Sequence, residues 1–440
     1  MRLLFLLPGL LALGPVAAAA ASLHLVAGTE DSPLSDRPVN TRLGEPVTVC
    51  AVVKLGRRYY SDAPRRVRLG GRLLHRRRLR PTETLPGSSP RWRWYRVEPR
   101  PHHVETTPPN KDNPAYSNAV LFGPDHGKWL GYDRIEYKET LLSGHGQHLF
   151  RSCITVTRTS PTDPKVNVNG GLGTMRYKAT LELGDRLLAS PGMEKRSRRG
   201  ISPRVMRVTF RSDDSFTGYM RGYFNVPNVF GSGGAGRTHQ TALYQGADCA
   251  DVITGGVREA GGKMAFTSVL GFRRYARAVT DKLLMTKTGI FAAAGPDRGK
   301  RVVLRFGHEV QPGDIMLIDY AGFEGSPRSW DHIAVIDRDR GATRGELDPQ
   351  DPVLHMGYLY GLAEEPAATQ APAIIKLLRL KPHILRAMKN RARRRRSKGA
   401  KQRRGGAADF DSPVHRPPVR RAQVGGSARL ARGARSGLGR

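Results

Sequence analysis

Between Leu23 and Leu183 apolar residues come in short runs that alternate with polar ones, the period of half-buried strands. The runs are Val47–Val53, Trp92–Val97, Arg134–Tyr137, Leu149–Thr157 and Met175–Leu183, parted by clusters of Gly, Pro, Asn and Asp. Asn169-Gly170-Gly171 predicts a tight turn before the last of them. The pattern then changes. Residues from Gly184 to about Gly200 are mostly polar, Val205–Arg211 reads as one more strand, and a glycine-rich loop follows at Gly231–Gly236. At Cys249 the spacing of Val252, Ile253 and Val257 becomes that of one helix face. Strand-like runs return at Ile315–Asp319, His332–Ile336 and Val353–Tyr358, and Lys263–Ala294 accommodates one amphipathic helix. Strands first, then a helix and further strands, is an α+β order.

This pattern divides the chain into a β-sandwich-like domain (23–185), a linker with a lead-in strand (186–235), a second domain (236–365) and a tail (366–440). A Cys, then Trp92 or Trp94, then a second Cys allows an immunoglobulin-like sandwich, in which a disulfide between the sheets packs on a Trp. Residues 1–22 read as a secretory signal: Arg2, an apolar run from Leu3 to Leu13, and small residues up to Ser22. No later run is long and apolar enough to span a bilayer. The expectation is a secreted, periplasmic or surface protein without a membrane span.

Export changes how the three cysteines are read. Cys50 and Cys153 lie in strand-like runs and pair most economically, which leaves Cys249 free. The formal charge of +35 points to anionic polymers, and export points away from nucleic acid. About half of the excess falls after residue 380, so the tail is expected to be basic and disordered.

Cys249 at a helix start is a candidate nucleophile, because unpaired N–H groups of a first helical turn favour a thiolate. Such a thiol needs a base and a group to orient the base. His332 and His355 are the candidates, brought side by side if their strands pair antiparallel; Asp331, Asp337 and Asp319 compete as orienters. Two imidazoles and a thiolate would also suit zinc, but tight Cys or His pairs are lacking, so no metal and no cofactor are expected.

At these residues the chain resembles the NlpC-type cell-wall cysteine peptidases, a bacterial branch of the papain-like fold. The elements are Asp248-Cys249-Ala250-Asp251, Pro312-Gly313-Asp314-Ile315-Met316-Leu317, Asp331-His332-Ile333-Ala334-Val335-Ile336 and Leu354-His355-Met356-Gly357, in family order across about Tyr244 to Tyr360. Ala250-Asp251 replaces the family's Ser-Gly, and the loop from Val335 to His355 is longer than usual. The resemblance implies a papain-like second domain and a Cys249–His332–His355 triad. It also implies an oxyanion site made by the Cys249 N–H and the Tyr244 hydroxyl, and cleavage of an amide in peptidoglycan stem peptides through a thioester. A non-catalytic surface binding protein or adhesin, or an amide acyltransferase on the same triad, are the alternatives.

Overall fold

The computed structural model of the protein describes residues 21–86, 90–100, 102–103, 114–115, 136–142, 151–162, 169–197, 200–229, 231–234, 236–320, 330–357 and 361–405. Alternation sorts the side chains of its first strands onto two faces. The opening strands include β1 (Ala21–Thr29), β2 (Val39–Arg42) and β3 (Val47–Leu55). Leu23, Leu25, Val49 and Ala51 face one apolar cluster, while Val26, Cys50 and Val52 face another. β1 and β3 pair antiparallel along their whole length. The second sheet holds β4 (Arg91–Pro99), β6 (Gly173–Leu183) and β7 (Met206–Arg211), with β2 parallel to β7 at its edge; the intervening β5 (Cys153–Val156) pairs with β3 in the first sheet. Trp92, Trp94, Tyr177 and Phe210 from the second sheet fill the same core as Leu25 and Val49, which makes the sandwich.

Cys50 and Cys153 are joined by a disulfide, but they are direct neighbours on β3 and β5 of one sheet. The bond lies on the face away from Trp92 and Trp94, because Cys50 is out of phase with Val49 and Ala51. The immunoglobulin-like expectation of an inter-sheet bridge on a Trp is therefore corrected. The face bearing Cys50 is covered by the arginine-rich segment after β3, whose Ala63, Val67, Leu74 and Leu79 are buried on it.

Two boundaries also move. The stretch after 185 is not a plain linker, since Arg186–Ala189 pairs with β6; the lead-in strand is β7, which pairs with β6 in the second sheet of the sandwich. The tail does not begin at 366, because residues 373–380 form an interior strand of the other large sheet. That sheet contains β8 (Leu283–Met285), β9 (Ile315–Tyr320), β10 (His332–Ile336), β11 (Pro352–Gly357), β12 (Gly361–Pro366) and β13 (Ala373–Leu380). From the edge strand Ile290–Ala292 its spatial order continues β8-β13-β9-β10-β11-β12, and Ala276–Ala278 also pairs with β13. Ile375, Leu377 and Leu378 of β13 are buried, and Arg379 makes two hydrogen bonds to the buried Asp314 carboxylate at 2.8 and 2.7 Å. The Pro-Gly-Asp turn is thus tied to the last strand. In it Gly313 has φ +92°, and a Cβ there would stand 2.8 Å from Phe216 Cε1.

The helices are α1 (Phe216–Arg221), α2 (Cys249–Glu259) and α3 (Pro382–Gly405). No α-helix forms within Lys263–Ala294; a 3-10 turn at Val269–Arg274 and short strands stand there instead. The described residues up to Arg395 belong to one compact unit, which holds both the sandwich and the sheet of β8–β13. Among the described residues no helix is long and apolar enough to cross a membrane. The signal-like residues 1–20 lie outside the described residues.

Candidate active site

Asp248 is the N-cap that makes Cys249 the first residue of α2: its carboxylate accepts from the Asp251 N–H at 2.8 Å. The apolar face, Ala250, Val252, Ile253 and Val257, is buried. Gly255 and Gly256 allow a close approach of α1 and the residues just after it. A Cβ on Gly255 would stand 2.5 Å from Tyr223 Oη, and one on Gly256 2.5 Å from Met220 Cγ.

α2 packs on β10 and β11 through Ile333, Val335, Leu354 and Met356, which share its core. β10 and β11 pair antiparallel at Val335–Leu354 and Ile336–Val353, as the sequence anticipates. By alternation His332 and His355 occupy the other face, with Ala334, Ile336 and Val353. Beyond Val335 the two strands carry no further paired residues, and it is here that the Cys249 sulfur meets the backbone N–H of Ile333, one residue past His332. The thiol is therefore at the open end of the β10–β11 pair, one residue along the backbone from His332, while α2 itself packs on the face opposite the imidazoles.

His332 Nε2 lies 2.8 Å from His355 Nδ1, with the rings edge to face. His355 Nε2 lies 2.8 Å from Glu365 Oε1 on β12. A carboxylate only accepts, so Nε2 of His355 carries the proton and its Nδ1 accepts. His332 must then donate from Nε2, which leaves its Nδ1 as a lone pair with no hydrogen-bond partner among the described residues. Two bonds select the tautomer a base needs. Burial pushes the Glu365 carboxyl up, but bonds from His355, Thr369 and Gln370 outweigh it and hold the group below its ordinary value. Gln370 donates to Glu365 at 2.8 Å and accepts from the Tyr320 hydroxyl. The Tyr320 ring is 6.2 Å from that of His332, and its phenol is pushed up by burial, with Cys249 the next contributor.

Glu365, Gln370 and Tyr320 are absent from the sequence reading. Glu365 had one available signal: antiparallel pairing after a short turn sets Ala363 opposite His355, and Glu365 two residues on shares the imidazole's face. The three Asp orienters go elsewhere. Asp337 pairs with Arg221 at 2.7 Å and Arg338 at 2.6 Å, Asp331 accepts from the Tyr320 N–H at 2.9 Å, and Asp319 lies opposite Ile374.

Tyr244 requires a correction. Its backbone is left-handed, φ 56°, at the end of the 3-10 turn Thr241–Leu243, and its ring stacks on Tyr223 under the Arg207 guanidinium. The hydroxyl accepts from Asn40 of β2 at 3.2 Å, so it is committed to the seam with the sandwich. Arg176 of β6 donates to the Tyr244 carbonyl in the same seam.

The helix start does not deliver a resting thiolate. Burial pushes the Cys249 thiol up, the Asp248 carboxylate adds to this, and N–H groups of Ala250 and Ile333 oppose without prevailing. Asp248 itself is pushed up to about 6 by burial. Burial and the neighbouring Asp248 push Asp251 up to about 8. Asp251 accepts from Ser232 Oγ and lies 3.6 Å from His239 Nε2. Burial, then His355, holds the His332 imidazole well below its ordinary value. Both groups rest neutral, the thiol because it is pushed up and the imidazole because it is pushed down. Among the described residues no group of three His, Cys, Asp or Glu is arranged to hold a metal ion.

No family model, curated protein or solved structure matches the chain.

Proposed function

We propose that the chain is a cysteine hydrolase of papain-like type acting on amide bonds. The observation that carries this reading is the His332–His355–Glu365 chain, which leaves His332 Nδ1 as a lone pair, with the Cys249 sulfur at the N–H of the next residue, Ile333. Cys249 is the nucleophile and His332 the base. His355 and Glu365 are positioning residues. As Sγ bonds to the carbonyl carbon, the thiol proton passes to His332 Nδ1, and the new imidazolium is stabilised through His355 by Glu365. That proton then goes to the leaving amine as the C–N bond breaks. Water resolves the thioester, returning the thiol; an amine in place of water would make the same site an acyltransferase. The Cys249 N–H serves the oxyanion.

A neutral pair suits this route, since proton transfer accompanies attack. By the resemblance to NlpC-type peptidases, the substrate is a stem peptide of peptidoglycan and the protein works outside the cell membrane. Incubating sacculi with the protein and with Cys249→Ala tests both points: new muropeptides released by the first and not by the second are expected. Release by neither overturns the substrate.

A second reading, a surface binding protein on the same scaffold, has its own observations: the raised thiol and the diverted Tyr244 hydroxyl. Iodoacetamide decides between them. Alkylation of Cys249 that slows on His332→Ala favours the hydrolase, since the imidazole then assists the thiol, and a rate unchanged by that substitution favours the scaffold.

A further inference from the structure

The arginine-rich segment after β3 buries its apolar residues on the outer face of the first sheet and turns its charges outward. With the Gly56 turn it encloses an open concavity of about 630 Å³, in the size range of ligand sites. Lys54 and six arginines line it, among them Arg58, Arg77 and Arg78, and no carboxylate does. None of these seven side chains makes an ion pair among the described residues. The one acid in the segment, Asp62, is taken up by Thr82 and Ser152, and the bond to Ser152 is 2.7 Å.

Unpaired like charges in a concavity repel one another and focus a positive potential on whatever enters. The framework that holds them is paired backbone: Arg58–Tyr60 lies between β3 and Leu79–Arg80, and Val67–Leu69 pairs with Arg72–Leu74. Guanidinium forks match phosphate oxygens two at a time. The space exceeds a single phosphate and suits consecutive ones. Tyr59 is the one aromatic in the lining, whereas sites for single-stranded nucleic acid stack successive bases on several. None of the exposed large apolar side chains (Leu43, Leu141, Leu187, Met193, Leu270 and Val303) lies in the concavity, which speaks against insertion into a bilayer.

We propose that this concavity binds a flexible phosphodiester polymer that carries no bases, of the poly(glycerol phosphate) kind. The site is separate from Cys249, and the proposal stands whether or not the hydrolase reading does.

The test uses the full chain and fluorescein-labelled poly(glycerol phosphate), with anisotropy followed from about 50 to about 200 mM salt. Engagement of all seven cations predicts a slope of log K on log salt near −5, taking about 0.7 per phosphate contact on a single strand. Arg58→Ala/Arg77→Ala/Arg78→Ala removes three exposed charges, so affinity is expected to fall at least tenfold and the slope to flatten by about 2. Replacing the three by Lys keeps the charge and loses the forks; binding between that of the parent and the Ala variant is expected, and the Lys variant also checks folding. The comparison that isolates the site is Arg386→Ala/Lys389→Ala/Arg393→Ala on the exposed face of α3, which should cost less than half as much in log K. Equal losses from the two triple Ala variants overturn the proposal, because general charge attraction then accounts for binding. Tighter binding of single-stranded DNA or of phosphatidylglycerol vesicles at the same salt overturns the ligand class.

Discussion

His355 donates from Nε2 to Glu365 Oε1 at 2.8 Å, and this bond decides which nitrogen of the neighbouring His332 ring is free to take a proton. Glu365→Gln keeps the shape and removes the charge that stabilises an imidazolium. For the proposed hydrolysis, turnover is expected to fall by about 10 to 100-fold with KM little changed, against about 10³-fold or more for His332→Ala. A Glu365→Gln enzyme with parental kcat would remove Glu365 from the relay. The folded-state value of Glu365 is lowered, so its contribution to stability is present above the unfolded value of 4.5 and is lost as the pH falls below it.

Asp248 caps α2 and also disfavours the Cys249 thiolate. Asp248→Asn retains a capping oxygen and removes the charge. Alkylation of Cys249 by iodoacetamide should then quicken at every pH from about 7 to about 9, with its midpoint moved to lower pH. An unchanged midpoint would show that burial alone sets the thiol.

Asp251 has a folded value of about 8, raised from 3.8. Its stabilising contribution is complete below the unfolded value and disappears as the pH rises through about 8. Asp251→Asn is neutral throughout and still accepts from Ser232. Its Tm relative to the parent is expected to rise from pH 5 to pH 9. A difference that stays flat across that range contradicts the raised carboxyl.

The sequence shows the parts of this site that repeat a local pattern. Asp248 before an apolar helix face announces Cys249, and two strands that begin with or contain His bring His332 beside His355. Glu365 is hidden because its role depends on the register of a hairpin, which no local pattern states. Tyr244 has the right position in sequence, but its left-handed φ throws the ring toward β2. The apolar run Ile374, Ile375, Leu377 and Leu378 is legible as a strand, yet the arginines beyond it lend the whole stretch the composition of a solvated tail. Charge describes a segment's average, whereas a strand needs only eight residues in phase.

Truncation after Glu365 removes β13 and with it the partner of both β8 and β9. The shortened chain is expected to be insoluble or to lack a cooperative melting transition. Retention of the parental Tm would show that β9 and β10 hold without their central neighbour.

The disulfide closes a segment with a sequence separation of 103 between adjacent strands. Cys50→Ala/Cys153→Ala should lower stability to denaturant by up to about 4 kcal/mol, with the C-terminal sheet retaining its spectroscopic signature. Mass mapping without reduction is expected to recover the Cys50–Cys153 peptide and a free Cys249.

The position of β13 in the sheet also sets the timing of assembly. Translation delivers Cys249, His332, His355 and Glu365 before Ala373–Leu380, the strand that lies between β8 and β9 and anchors Asp314 through Arg379. A ribosome-bound chain thus presents all four groups while the sheet beneath them is still split in two. A chain that stops before Ala373 therefore carries Cys249 without the strand that joins β8 to β9 and holds Asp314.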